Sequence, residues 1–262
     1  MLTLDGKNIL VTGGGGYGVG AGVCQAVAEA GGRLIINELD LDVAQSAADK
    51  YPGAIAIEGD VSKSEQVNRM FTTLVRQCGV LHGLVNNAGV GLNKPAHEAT
   101  EEEFDRIYAI DVRGLWLVSK AFIKQLVGAK QVGHIVNIAS VHAHSTNPGY
   151  AIYASAKSAV AGLTKGMALD LGKYKIRVNA VAPGYVHSEQ GMGIIAQWAD
   201  DAEAWIDNYR RNCQALPYLI DAVDCGYAVA FLLSDLSRSI TGQTIYVDAG
   251  ATSMVFGNDV IG

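Results

Sequence analysis

The sequence predicts an α/β fold of Rossmann type, a doubly wound three-layer sandwich around a seven-stranded parallel sheet. Three observations carry that expectation. Short runs rich in Ile and Val alternate with longer stretches of helical periodicity, the pattern of crossover units that feed a parallel sheet. A glycine-rich loop follows the first such run and opens a helix. No Ser/Gly/Pro linker or sustained charge run divides the 262 residues, so one domain is expected over 1–262, long enough to bury a large core.

The first strand is read at 7–12 (K-N-I-L-V-T), followed by a helix over 17–31. Strands two and three fall at 33–38 and 54–58, each with a helix candidate after it. Four more strands are read at 81–86, 133–139, 176–181 and 243–247. Between them the periodicity predicts helices near 101–128, 149–172, 194–211 and 221–234. The stretch 187–217 is the longest insertion between strands and is read as a substrate loop. Ligands on open parallel sheets sit beyond the carboxyl ends of the strands, so the loops there are where chemistry is sought.

Composition narrows the function. With 20 basic against 26 acidic side chains and a net charge of -6, the chain lacks the clustered cations that phosphate neutralisation needs, and no nucleic-acid partner is expected. The longest apolar run, near 227–233, is too short to cross a bilayer, and no membrane partner is expected. Asp5 and Lys7 interrupt the start where a leader needs an apolar stretch. Cys24, Cys78, Cys213 and Cys225 stand far apart without a C-x-x-C pair and read as small buried apolar residues. A reduced, cytoplasmic protein is the expectation.

After strand one, Thr12-Gly13-Gly14-Gly15-Gly16-Tyr17-Gly18-Val19-Gly20 offers backbone amides to a pyrophosphate at a helix N-terminus. Glu38 lies eighteen positions past Gly20, at the end of strand two, where a carboxylate accepts the adenine-side ribose hydroxyls. That selects NAD. A 2′-phosphate about 4 Å from the carboxylate would meet repulsion on the order of 4 kcal/mol per unit charge at an effective dielectric near 20. The loop holds no Arg or Lys to offset it.

The glycine loop is followed by Asp60-Val61, Asn86-Asn87-Ala88-Gly89, Ser140, Tyr153-Ala154-Ser155-Ala156-Lys157 and Pro183-Gly184. In that order and spacing, over essentially the whole chain, the sequence resembles the shorter, single-domain members of the short-chain dehydrogenase/reductase family. The resemblance implies that Gly13, Gly16, Tyr17, Gly18, Val19, Glu38 and Leu39 hold the adenosine and pyrophosphate of NAD. It places Asp60 and Val61 beside the adenine, and Asn87, Ala88 and Gly89 along the inner ribose. Pro183, Val186 and Ser188 would hold the nicotinamide end, with Ser188 in place of the more usual Thr. Ser140, Tyr153 and Lys157 are implied to perform catalysis, and the assembly to be a homotetramer with helices 101–128 and 149–172 and the C-terminal strand at its interfaces. Two departures stand out. The loop is one residue longer than the family's T-G-x-x-x-G-x-G, and Asp111, in D-V-R-G, stands where the family has a catalytic Asn.

A free Tyr ionises near pH 10, so it is a poor base until something stabilises its phenolate. Lys157, four positions on along a helix, shares a face with Tyr153 and is placed to do so. Tyr153 would take the alcohol proton as hydride leaves, while Ser140 hydrogen-bonds the same oxygen. No metal is needed. Asp111 has several readings: holding a water beside Lys157, pairing with Lys157 directly, substituting sterically, or turning toward Arg113.

On the substrate side, Met192, Ile195, Trp198, Ala202, Trp205 and Tyr209 recur at helical spacing, a stripe that either packs on the domain or covers the site. An apolar or ring-bearing alcohol suits such a wall; His142, His144, Asn147, Tyr150, Tyr185 and His187 suit a polyol or sugar. The substrate candidates are therefore Ser140, His142, Tyr150, Tyr153, Tyr185, Trp198 and Trp205. The leading expectation is an NAD-dependent enzyme acting on a secondary alcohol or its ketone. A 3-oxoacyl-thioester reductase of the same family and a non-catalytic NAD-binding sensor or scaffold are the rivals.

Overall fold

The computed structural model describes residues 1–187, 192, 195, 196 and 199–261. Its seven strands form one parallel sheet in the order β3-β2-β1-β4-β5-β6-β7. These are β1 (Asn8–Thr12), β2 (Arg33–Glu38), β3 (Ile55–Glu58), β4 (Gly83–Asn86), β5 (His134–Ile138), β6 (Arg177–Pro183) and β7 (Thr244–Val247). Strand order reverses at β1, and the crevice that opens there belongs to the carboxyl end of the sheet.

Successive residues of a strand point to opposite faces, and both faces are buried. Ile9, Val11, Leu34 and Ile36 enter a core shared with α1 (Val19–Glu29) and α8 (Ala222–Leu233). Leu10, Ile35, Leu84 and Ile135 enter the opposite core, filled by α3 (Ser64–Cys78) and α5 (Leu115–Ala129). That two-sided burial is why the strands read as short Ile/Val runs. The other helices are α2 (Leu41–Ala48), α4 (Glu101–Ile107), α6 (Ala151–Leu171), α7 (Ala202–Asn212) and α9 (Asn258–Ile261).

Three expectations need correction. The helix read over 101–128 is broken: α4 passes into a π-helical segment, Tyr108–Gly114, before α5 begins. Such a widened turn adds a residue and re-aims side chains, which a 3.6-residue pattern does not reveal. The helix read over 194–211 is not continuous either, because residues 199–201 are non-helical and the Asp201 carboxylate accepts the Ala204 N–H to start α7. Finally, only Cys24 and Cys225 are buried as expected; Cys78 is half-buried and Cys213 is exposed.

Candidate active site

The carboxyl ends of β1 to β6 border a cavity of about 630 Å³. Its floor is tied together by side chains. Thr12 Oγ1 accepts the Asn87 and Ala88 N–H groups at 3.1 Å each. The Asn87 amide donates back to the carbonyls of Thr12 and Gly13 at 3.0 and 2.7 Å. Gly20 has to be bare, since a Cβ there would stand 2.2 Å from the Gly13 oxygen. The first turn of α1 therefore lies directly against the end of β1. At Gly16 and Gly18 a Cβ would meet nothing within 4 Å, so this backbone borders open space, and no acidic residue stands in the first turn of α1. A helix N-terminus with bare, unopposed backbone fits the pyrophosphate of a dinucleotide.

Around this cavity the structure brings together Gly13, Gly16, Tyr17, Gly18 and Val19 of the glycine loop, with Glu38 and Leu39 at the end of β2. Glu38 Oε1 accepts the Gly15 N–H at 2.8 Å. Asp60 and Val61 line it after β3, where the Asp60 carboxylate accepts both the N–H and the hydroxyl of Ser62. Asn87, Ala88 and Gly89 line it after β4, and Pro183 and Val186 at the end of β6. Ser188 lies outside the described residues.

Ser140, Tyr153 and Lys157 line the same cavity. Ser140 follows β5 and is buried; its Oγ accepts the His142 N–H at 3.2 Å, which leaves its own proton free to donate. Tyr153 and Lys157 sit one turn apart on α6, with the ammonium 5.5 Å from the phenol ring centroid. Lys157 Nζ lies 2.9 Å from Asp111 Oδ2 and 3.4 Å from the Ile138 carbonyl, while Asp111 Oδ1 accepts the Val90 N–H at 2.9 Å. The π-helical turn is what carries Asp111 inward to this pair, where its side chain has no exposed surface. Burial pulls the Lys157 ammonium down, but Tyr153 and Asp111 outweigh it and hold the group above the ordinary lysine range. Of the readings open for Asp111, direct pairing with Lys157 is the one seen. Arg113 turns away to the Ser62 carbonyl.

Of the substrate candidates, Ser140 and Tyr153 line the cavity, whereas His142, Tyr150, Tyr185 and Trp205 are not in its lining and fall into two aromatic groups. His142 packs on Tyr150 at 4.5 Å and edge-on against Tyr153 at 5.5 Å. Burial lowers the His142 pKa and raises that of Tyr150. Tyr185 follows Gly184 and meets Trp205 and Tyr209 of α7 at 5.7 and 5.6 Å, with those two rings stacked on each other. His144 turns to Tyr246 on β7 instead. Trp198 lies outside the described residues. Among the described residues no group of three His, Cys, Asp or Glu is placed to hold a metal ion, and no helix is long and apolar enough to cross a membrane.

A family model described as enoyl-(acyl carrier protein) reductase matches residues 14–252. A short-chain dehydrogenase/reductase of Pestalotiopsis microspora is 33% identical to this chain, the match covering 95% of it and 96% of the relative. The chain belongs to the short-chain dehydrogenase/reductase family. Human L-xylulose reductase is 35% identical, over 95% of this chain and 98% of that one. A gluconate 5-dehydrogenase from Burkholderia cenocepacia, solved in complex with NADP and tartrate, superposes with a TM-score of 0.88 at 29% identity, over 97% of this chain and 98% of the other. Membership of this family makes the cofactor a nicotinamide dinucleotide and the chain an oxidoreductase.

For this family member, sequence reasoning missed several cavity residues. Asn37 and Gly59 line the cavity at the ends of β2 and β3, and Arg106 and Ile110 enter from α4 and the π-helical turn. It also missed the buried polar ladder behind the site. There Asn86 donates to Ser119 and Asn137, and Asn137 donates to Thr164, which ties β4 and β5 to α5 and α6. Four polar residues inside otherwise apolar elements are the one signal that would have pointed to it.

Proposed function

We propose that this enzyme is an NAD(H)-dependent dehydrogenase that transfers hydride between the dinucleotide and a secondary alcohol or its ketone, with a polyol or sugar as the preferred substrate. The observation that carries this reading is the buried Lys157 ammonium 5.5 Å from the Tyr153 ring, in a cavity wall that also holds Ser140 and Glu38. Glu38 supports NAD because a carboxylate at the end of β2 suits ribose hydroxyls and opposes a 2′-phosphate. Neither the loop 13–20 nor Leu39 offers a cation beside it. Asp60 and Val61 are assigned to the adenine, Asn87 to Gly89 to the inner ribose, and Pro183 and Val186 to the nicotinamide end.

When bound, the nicotinamide supplies a two-electron acceptor for hydride from the carbinol carbon, or returns it to a carbonyl carbon. Tyr153 takes the hydroxyl proton as the C–H bond breaks and the C=O bond forms, and gives it back in reduction. Ser140 donates to the same substrate oxygen and fixes its position. Of the three N–H groups of Lys157, Asp111 and the Ile138 carbonyl engage two, leaving one to face the cavity and favour the phenolate. His142 and Tyr150 border Tyr153 with polar edges suited to further hydroxyls, and the names of the human and Burkholderia relatives point the same way.

A second reading is the 3-oxoacyl-thioester reductase; the description of the matching family model shares its acyl-carrier substrate class, though it names reduction of an enoyl double bond rather than of a ketone. A panel of polyols, sugars, aromatic alcohols and hydroxyacyl thioesters, each offered with NAD+ and NADP+, separates the two. The proposal expects the highest kcat/KM for a polyol or sugar with NAD+; a thioester preferred with NADP+ would overturn it. One domain over 1–262, a cytoplasmic location and a homotetramer complete the reading. Trp116 on α5, Leu169 on α6 and Tyr246 on β7 stay exposed on the elements assigned to the interfaces, and sedimentation tests the assembly.

A further inference from the structure

Glu38 is not simply a carboxylate at the end of a strand; the glycine loop grips it. The Gly15 N–H donates to Glu38 Oε1 at 2.8 Å, and the Gly13 N–H donates to the Asn37 carbonyl at 2.9 Å. Two amides of the loop are thus spent on the last two residues of β2. That leaves the backbone from Gly16 onward to meet a pyrophosphate.

Gly15 is bare for a reason other than backbone conformation. Its φ is not among the positive values, so an L side chain is compatible with the backbone there. Space is what is missing. A Cβ would stand 2.8 Å from Glu38 Cγ, 3.0 Å from Val43 Cγ1 and 3.2 Å from Glu38 Oε1. The absent methyl is the room that the glutamate side chain occupies.

We infer that Gly15 is a positioning residue for dinucleotide selectivity: small and amide-donating, it clamps Glu38 at the adenosine end of the cavity as a fixed barrier to a 2′-phosphate. An unclamped glutamate can rotate its long side chain into solvent and let a phosphate pass. A clamped one cannot do so without forfeiting a charge-assisted hydrogen bond. The inference rests on the NAD(H) reading above.

The test is calorimetric. Kd values for NAD+ and NADP+ are measured without substrate on the full chain, on Gly15→Ala, on Glu38→Gln and on the double variant, with Tm as a check on folding. The wild-type protein binds NAD+ more tightly, and Gly15→Ala lowers the preference at least tenfold. Glu38→Gln also lowers it, and in the double variant Gly15→Ala adds little, because it acts through Glu38. If the wild type prefers NADP+, the NAD(H) reading fails and takes the inference with it. If the wild type prefers NAD+ and Glu38→Gln relaxes that preference while Gly15→Ala does not, only the clamp is overturned. Equal weakening of both dinucleotides by Gly15→Ala overturns it as well. Should Gly15→Ala not fold, Gly15→Ala/Val43→Ala opens the second contact and carries the same expectation.

Discussion

Replacing Asp111 by Asn removes one charge from a buried pair and leaves its shape. At 2.9 Å the gross attraction between Lys157 and Asp111 is about 6 kcal/mol for an effective dielectric near 20. The desolvation cost of the carboxylate, itself several kcal/mol, disappears with the charge, and the amide oxygen still accepts from Lys157. The expected net loss is about 1 to 3 kcal/mol of stability at neutral pH, read from urea unfolding. Its pH dependence follows from Lys157, which Tyr153 and Asp111 hold above the ordinary lysine range against the effect of burial. A group raised in this way contributes fully below its unfolded value, about 10.4, and loses that contribution as pH rises through the folded value. The gap between the two proteins is therefore flat from neutral pH to about 10 and narrows above it. Kinetics supply the second readout. The carboxylate lies within about 8 Å of the Tyr153 ring centre, given legs of 2.9 and 5.5 Å, so its removal relieves about 2 kcal/mol of repulsion on a phenolate. Activity is retained, and the rising limb for alcohol oxidation and the falling limb for ketone reduction both move to lower pH. Limbs that stay in place, or move to higher pH, would refute the argument.

Other perturbations probe other parts of the site. Thr12→Val keeps the shape of the side chain but strips the acceptor from the Asn87 and Ala88 N–H groups; a loss of about 2 to 4 kcal/mol is expected in urea unfolding, and an unchanged midpoint would contradict the role given to the floor. Trp205→Ala removes the ring packed on Tyr185 and Tyr209, so KM for a good alcohol should rise about tenfold with little change in kcat. A fall in kcat at constant KM would place the cluster elsewhere in the reaction. Burial pushes the Cys24 and Cys225 thiols up to about 12, so native alkylation at pH 8 followed by mass mapping should label Cys213 first and leave those two intact.

The sheet was legible because its chemistry is repetitive. Strands buried on both faces must be short with an apolar centre, and β1, β2 and β4 each carry an uninterrupted run of Ile, Leu or Val flanked by polar residues or glycine, so their limits fell within a residue or two. Ser140, Tyr153 and Lys157 were legible through the family resemblance, and only the step from Tyr153 to Lys157 follows from helix geometry, one turn of α6. What lay hidden was whatever depends on one residue of irregular backbone. Nothing in the periodicity of Tyr108–Gly114 announces a π-turn, yet that turn decides that Asp111 meets Lys157 rather than Arg113. The extra residue in the glycine loop was visible as a count, but the hydrogen bond from the Gly15 amide to Glu38 was not. The break before α7 was written in Asp201, a capping residue amid an apolar stripe that masked it.

The claim that Tyr153 exchanges the substrate proton is tested most directly by Tyr153→Phe, with NAD+ affinity measured by calorimetry beside steady-state turnover of the best alcohol. The account predicts NAD+ affinity within a few-fold of the parent and kcat lower by about 10² to 10⁴. Turnover as fast as the parent, with the dinucleotide bound as well as before, would contradict it.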